Sequence, residues 1–103
     1  MMFVRFIKQQ MGLNVIPEFK FHPVRKWKAD YFIPSLKLLI EKEGGVYTHG
    51  AHGSVSGILR DIEKYNSATI LGYSIIRVLP KDLISTKTID LINEFAINKA
   101  KNP

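Results

Sequence analysis

The chain has 103 residues, no cysteine, and 15 Lys plus Arg against 9 Asp plus Glu, a net charge of +6. This length makes a single domain over residues 1–103, and 46% hydrophobic with 23% charged residues is a globular composition rather than a disordered one. The lack of cysteine excludes a disulfide scaffold, a Cys-ligated zinc site and a thiol nucleophile. No apolar run approaches the ~20 residues that span a bilayer, so no membrane partner is expected. The first eleven residues carry Arg5, Lys8, Gln9 and Gln10 and lack the long apolar stretch of a signal peptide, so a cytoplasmic protein is expected.

The elements follow in chain order. Phe3, Ile7 and Met11, with Val4 beside them, form one apolar face of a short helix ended by Gly12. From Val15 to Phe21, Phe19 and Phe21 alternate with Glu18, Lys20 and His22, the period of a strand. Trp27 to Ile33 alternates again: Trp27, Ala29, Tyr31 and Ile33 are expected on one face, Lys28, Asp30 and Phe32 on the other. Pro34-Ser35 signals a turn. Leu36 to Glu43 is a third strand, with Leu36, Leu38 and Ile40 on one side and Lys37, Leu39, Glu41 and Glu43 on the other. Gly44-Gly45 stops it, and a glycine-rich loop with His49 and His52 follows.

Ser54 or Ser56 then caps a helix running to Leu71, with Ile58, Ile62, Tyr65 and Thr69 as its expected inward stripe and Gly72 just past its end. Tyr73 to Leu79 is a fourth strand closed by Pro80. Thr86 to about Lys99 is a last helix that buries Ile89, Ile92, Phe95 and Ala96. The order is α-β-β-β-α-β-α. A three-strand meander followed by an α-β pair implies an α/β fold with a mixed four-stranded sheet flanked by helices.

Charge is unevenly spread. Residues 1–30 hold six basic and two acidic groups, and the remainder hold nine and seven. Lys20, Arg25, Lys26 and Lys28 lie together with no acid among them. Trp27 alternates with these lysines and reads as a core residue. A hairpin about Pro34-Ser35 brings Asp30 beside Glu41, and Glu43 shares the side of Glu41. Three clustered carboxylates repel unless a cation intervenes, and Mg²⁺ selects oxygen ligands. The same acids also fit a solvated strand face with Lys42 partnering Glu41. The loop lacks the Gly-Lys-Ser/Thr ending of a nucleotide-binding loop, and two histidines without cysteine make a poor zinc site.

Three stretches resemble the PD-(D/E)XK, or restriction-endonuclease-like, nucleases of the phage type: 18–32 with Asp30, 39–45 reading Leu-Ile-Glu41-Lys-Glu43-Gly-Gly, and 61–77 from Asp61 to Arg77. His52 adds to the likeness, which covers residues 18 to about 80. It implies a restriction-endonuclease-like core and a Mg²⁺-dependent endonuclease, with Mn²⁺ able to substitute. Asp30 and Glu41 then match metal ligands. Glu43 stands where the family usually has Lys, and its role is open between a further ligand and a general base. Lys64, on the next helix, supplies a positive charge that orients water or offsets charge in the transition state. Glu18 resembles an early acid of the family. His52 is open between a general acid, a phosphate contact and an exposed loop residue.

The basic residues Lys20, Arg25, Lys26 and Lys28 are expected on backbone phosphates of DNA, or else as a solvated loop. The small size favours recognition of DNA shape over sequence. Two cuts at a four-way junction need two sites, so a homodimeric Holliday-junction resolvase is expected, with the first segment or the last helix as the interface. The other readings are a nicking or mismatch-repair nuclease, and a decayed nuclease kept as a DNA-binding or inhibitor protein.

Overall fold

The computed structural model describes residues 1–44 and 55–102. Among the described residues, three α-helices and a four-stranded mixed sheet follow in the order α1 (Met2–Met11), β1 (Ile16–Lys20), β2 (Lys28–Ile33), β3 (Leu38–Lys42), α2 (Val55–Ile70), β4 (Ser74–Val78) and α3 (Thr86–Lys101). This is the order expected from the sequence. The strands lie side by side as β1-β2-β3-β4, antiparallel across the first two pairings and parallel between β3 and β4. No helix among the described residues is long and apolar enough to cross a membrane.

The termini of the elements have local causes. Gly12 takes the left-handed conformation (φ 70°) and returns its N–H to the carbonyl of Lys8, which ends α1. Gly72 (φ 91°) ends α2. Its N–H bonds the Thr69 carbonyl while the Tyr73 N–H bonds that of Ala68, the paired closure that glycine permits after a helix. The third strand starts two residues later than the pattern suggests. Pro34–Leu36 form a 3₁₀ turn, and Lys37 sits left-handed after it (φ 49°).

Two cores flank the sheet. On one side Phe3 and Ile7 of α1 and Ile92 of α3 pack on Tyr31, Ile33, Leu38, Ile40 and Val78. The Phe3 and Tyr31 ring centroids lie 4.5 Å apart. On the other side Ala68 of α2 packs with Phe21, Ala29, Phe32 and Leu39, joined by Trp27 and Tyr73. Phe3 and Ile7 are therefore spent inside the fold and cannot form the outward interface expected of the first segment.

Two expectations about faces fail. Ala29 and Trp27 belong to the α2 side, whereas Tyr31 and Ile33 belong to the α1 side. Strict alternation would put all four together. The same switch occurs along the neighbouring chain, where Val15, just before β1, packs on the α1 side and Phe19 of β1 on the α2 side. The two breaks coincide at one level, because the β1–β2 register matches Pro17 to Tyr31 and Phe19 to Ala29. Between Pro17 and Phe19, Glu18 is left-handed at φ 46°, a conformation that reverses the side to which following residues point.

The second failure is the stripe of α2. Ala68 is the residue of this helix that is buried; Ile58 and Ile62 are 48% and 52% exposed. The C-terminal part of α2 lies on the sheet, where the small Ala68 permits close approach. Ile58 and Ile62 instead border an open cleft. Replacing Phe3 by Ala should therefore lower the unfolding free energy by about 3–5 kcal/mol. Ile62→Ala should change it by less than about 0.5 kcal/mol in the same urea titration; a large loss there would restore the inward stripe.

Candidate functional site

Extending the β2–β3 register, in which Tyr31 faces Ile40, by one residue sets Asp30 opposite Glu41. Backbone donors stitch the pair together. The Lys42 N–H donates to Asp30 Oδ2 at 2.7 Å, and the Asp30 N–H reaches Glu41 Oε2 at 3.4 Å. Glu41 follows Leu39 in strand parity, so its side chain rises on the α2 side of the sheet. There the Lys64 ammonium lies 2.8 Å from Glu41 Oε1. The ammonium thus stands against a carboxyl oxygen that is itself buried. Lys64, rather than Lys42, is the partner of Glu41.

Glu41 is 6% exposed. Burial raises its pKa from 4.5 to about 7; Lys64 pulls it down and the neighbouring Asp30 pushes it up. At neutral pH this carboxyl is thus divided between its two protonation states.

Glu43 lies beyond the end of β3, with its N–H on the Val78 carbonyl. Its carboxylate belongs to Arg77 of β4. Arg77 Nε donates to Glu43 Oε2 at 2.6 Å, and Nη2 converges on the same oxygen. The guanidinium carbon sits 4.6 Å from the centre of the Tyr65 ring, and Lys64 Nζ sits 5.5 Å from it. Burial works against the Arg77 charge, but the Glu43 bond and charge outweigh it and hold its pKa above the ordinary value. Burial raises the Tyr65 pKa, with Glu41 adding to the effect, so its hydroxyl stays protonated.

Asp30, Glu41, Glu43, Lys64, Tyr65 and Arg77 line one cleft of about 770 Å³, which also takes in Asp61. Of the expected site residues, Asp30, Glu41 and Lys64 converge. Glu43 lines the same cleft but faces Arg77, and among the described residues no cluster of three acids or histidines is arranged to hold a metal. Glu18 falls across from Asp30 in the β1–β2 register, but its exposed side chain lies 3.4 Å from Lys28 Nζ and does not line the cleft. His52, like His49, lies outside the described residues.

Lys20, Arg25, Lys26 and Lys28 are all exposed. Arg25 is nonetheless engaged. It pairs with Glu63 of α2 at 3.0 Å and covers the Trp27 ring at 4.1 Å. His22 shapes this loop, its Nδ1 accepting the Val24 and Arg25 N–H groups at 3.1 and 2.8 Å. Trp27 packs against Phe21, as a core residue does.

Sequence reasoning leaves Arg77 open between a salt bridge to an acid and a contact to DNA, and gives Tyr65 to packing; the structure shows the salt bridge, to Glu43. The parallel register that sets Arg77 beside Glu41 is a long-range pairing with no local signature. No family model, no curated protein and no solved structure matches this chain.

Folding raises the pKa of Glu41, so between about pH 4.5 and 7 the folded chain keeps a proton that the unfolded chain has lost. The stabilisation from this group is fully present below pH 4.5 and is lost as pH rises through about 7. Its size is on the order of 3 kcal/mol. Urea unfolding at pH 5 and pH 8 should show this decline in the wild type and a flatter profile in Glu41→Gln. Equal declines in both would remove Glu41 as its source.

Proposed function

We propose that this protein is a metal-dependent, structure-specific DNA endonuclease with a PD-(D/E)XK-type core. It hydrolyses phosphodiester bonds in branched DNA such as a Holliday junction and works as a homodimer. The observation that carries this reading is the Asp30–Glu41 pair on adjacent strands, with Lys64 at the mouth of the same cleft. The sequence resemblance points the same way, because it matches Asp30 and Glu41 to that family's two acids.

The donor set fits a hard divalent cation in part. Glu41 Oε1 is a buried carboxyl oxygen faced by the Lys64 ammonium, and Asp30 brings a second carboxylate beside it. Two carboxylates suit Mg²⁺ or Mn²⁺, which keep waters in their remaining positions. Glu43, engaged by Arg77, stands outside that set. Bound Mg²⁺ supplies a polarised phosphate and a water of lowered pKa.

The chain's own residues do the rest. Lys64 neutralises Glu41 before ligands arrive, and its ammonium then serves the anionic phosphate or the attacking water. Glu41, with its pKa near neutrality, is able to hold or release a proton at physiological pH. Lys20, Lys26 and Lys28 attract and position the DNA backbone from the loop and strand ends leading to Asp30.

A second reading has its own support. Lys64 already compensates Glu41, as expected of a DNA-binding protein whose cleft has lost its metal. Two measurements separate the two. With Mn²⁺ at millimolar concentration, the melting temperature should rise in the wild type and stay level in Asp30→Asn. On a synthetic four-way junction with Mg²⁺, Asp30→Asn and Glu41→Gln should each lose at least about 100-fold in cleavage rate, the order expected when an electrostatic contact to the transition state is removed. Unchanged cleavage by both would falsify the site; no Mn²⁺ effect and no cleavage by the wild type would leave the binding protein.

A further inference from the structure

The acid beyond the end of β3 does not join the other two, and this disagreement with the three-carboxylate expectation has a structural content. We infer that Glu43 is a positioning residue for Arg77, and that Arg77 is a receptor in the cleft for a backbone phosphate of nucleic acid. The inference rests on the nucleic-acid reading above and deepens it by assigning a phosphate contact apart from the Lys20–Lys28 stretch.

Arg77 has no need of a partner for burial, since its side chain is 48% exposed. It is held nonetheless from two directions. Nε and Nη2 both converge on Glu43 Oε2, and the guanidinium plane lies against Tyr65, 4.6 Å from its centre. Arginine carries a large rotamer entropy, so a guanidinium already fixed loses less of it on binding. The Nη1 edge is the part of the fork that the Glu43 pair does not use. β4 brings Arg77 beside Glu41 in the parallel register, and both line the cleft with Asp30 and Lys64.

Charge fits the same purpose. Four acids line the cleft, Asp30, Glu41, Glu43 and Asp61, and four cations, Lys42, Arg60, Lys64 and Arg77, balance them. Lys64 offsets Glu41 and Arg77 offsets Glu43, and both cations lie against the Tyr65 ring. A planar guanidinium whose Nη1 edge lies outside the Glu43 pair matches a phosphate's oxygens better than an ammonium does.

The consequence has a sign that a simple acid would not produce. Removing a carboxylate from a DNA-facing cleft ordinarily tightens binding to a polyanion. If Glu43 acts through Arg77, its removal weakens binding. The experiment is fluorescence anisotropy with a labelled four-way junction in EDTA over a series of salt concentrations. It uses the wild type, Glu43→Gln, Arg77→Met, Arg77→Lys and the double variant Glu43→Gln/Arg77→Met.

Arg77→Met should weaken binding about 3–10-fold and lower the slope of log K against log salt by about 0.9, the value of one lost phosphate contact. Arg77→Lys should keep the slope and recover only part of the affinity. Glu43→Gln should weaken binding about 3-fold, and the double variant should bind no worse than Arg77→Met alone. Tighter or unchanged binding by Glu43→Gln, or an unchanged slope in Arg77→Met, overturns the inference. Should Arg77→Met lose its melting transition, Arg77→Lys decides in its place: wild-type affinity there overturns the fixed guanidinium. A wild type that binds no DNA overturns the nucleic-acid reading itself, a different outcome from DNA binding that ignores Glu43 and Arg77.

Discussion

A carboxylate buried at the end of a central strand is the constraint around which this small molecule is organised. Glu41 costs free energy to bury as an anion. Three arrangements reduce that cost: the Lys64 ammonium at 2.8 Å, the Asp30 N–H at 3.4 Å, and a proton retained up to about pH 7. Each comes from a different element. Lys64 ties the cleft to α2, Asp30 ties it to β2, and the burial comes from β3 lying between β2 and β4. Nothing in the hydrophobic packing requires an acid at this position, where an aliphatic residue would fill the space at lower cost. A costly group at a cleft is where perturbed titration and chemistry tend to meet.

The packing supports this arrangement asymmetrically. α1 and α3 close one side of the sheet with large side chains, and Phe3, Ile7 and Ile92 are fully buried there. The other side is closed at one end by aromatic residues around Phe32 and Tyr73, whose ring centroids lie 5.6 Å apart. At its other end the same side opens into the cleft. The aromatic end anchors α2 through Ala68; the open end carries the charges. The division runs across β2 at Asp30, where the alternation of β1 and β2 changes sides. Without that change, Ala29 would point toward α1 and the aromatic layer would lose its floor.

Much of this was legible in the sequence. Alternating apolar residues marked the strands, Gly12 and Gly72 marked helix ends, and the Pro34-Ser35 turn set the hairpin that pairs Asp30 with Glu41. What stayed hidden has physical reasons. A helical stripe has the same period whether it meets a core or borders a cleft, so Ile58 and Ile62 were read as inward. The reversal at Glu18 occurs without a glycine to announce it. Arg77 meets Glu43 only because β4 lies parallel to β3, and sequence spacing carries no trace of a pairing between residues 34 positions apart. Lys64 was placed near the acids by resemblance, whereas its attachment to Glu41 depends on how α2 is seated.

That seating bears on motion. The 16-residue α2 buries only Ala68, near its C-terminal end, and its middle is tied to the fold by the Arg25–Glu63 and Lys64–Glu41 pairs. Its amide hydrogens toward Val55 should exchange by local opening at far lower free energy than those of β2 and β3, which lie inside the sheet. Lys64 lies between Ala68 and the half of α2 that borders the cleft, so the seating of this one helix on the sheet sets where the ammonium stands against Glu41.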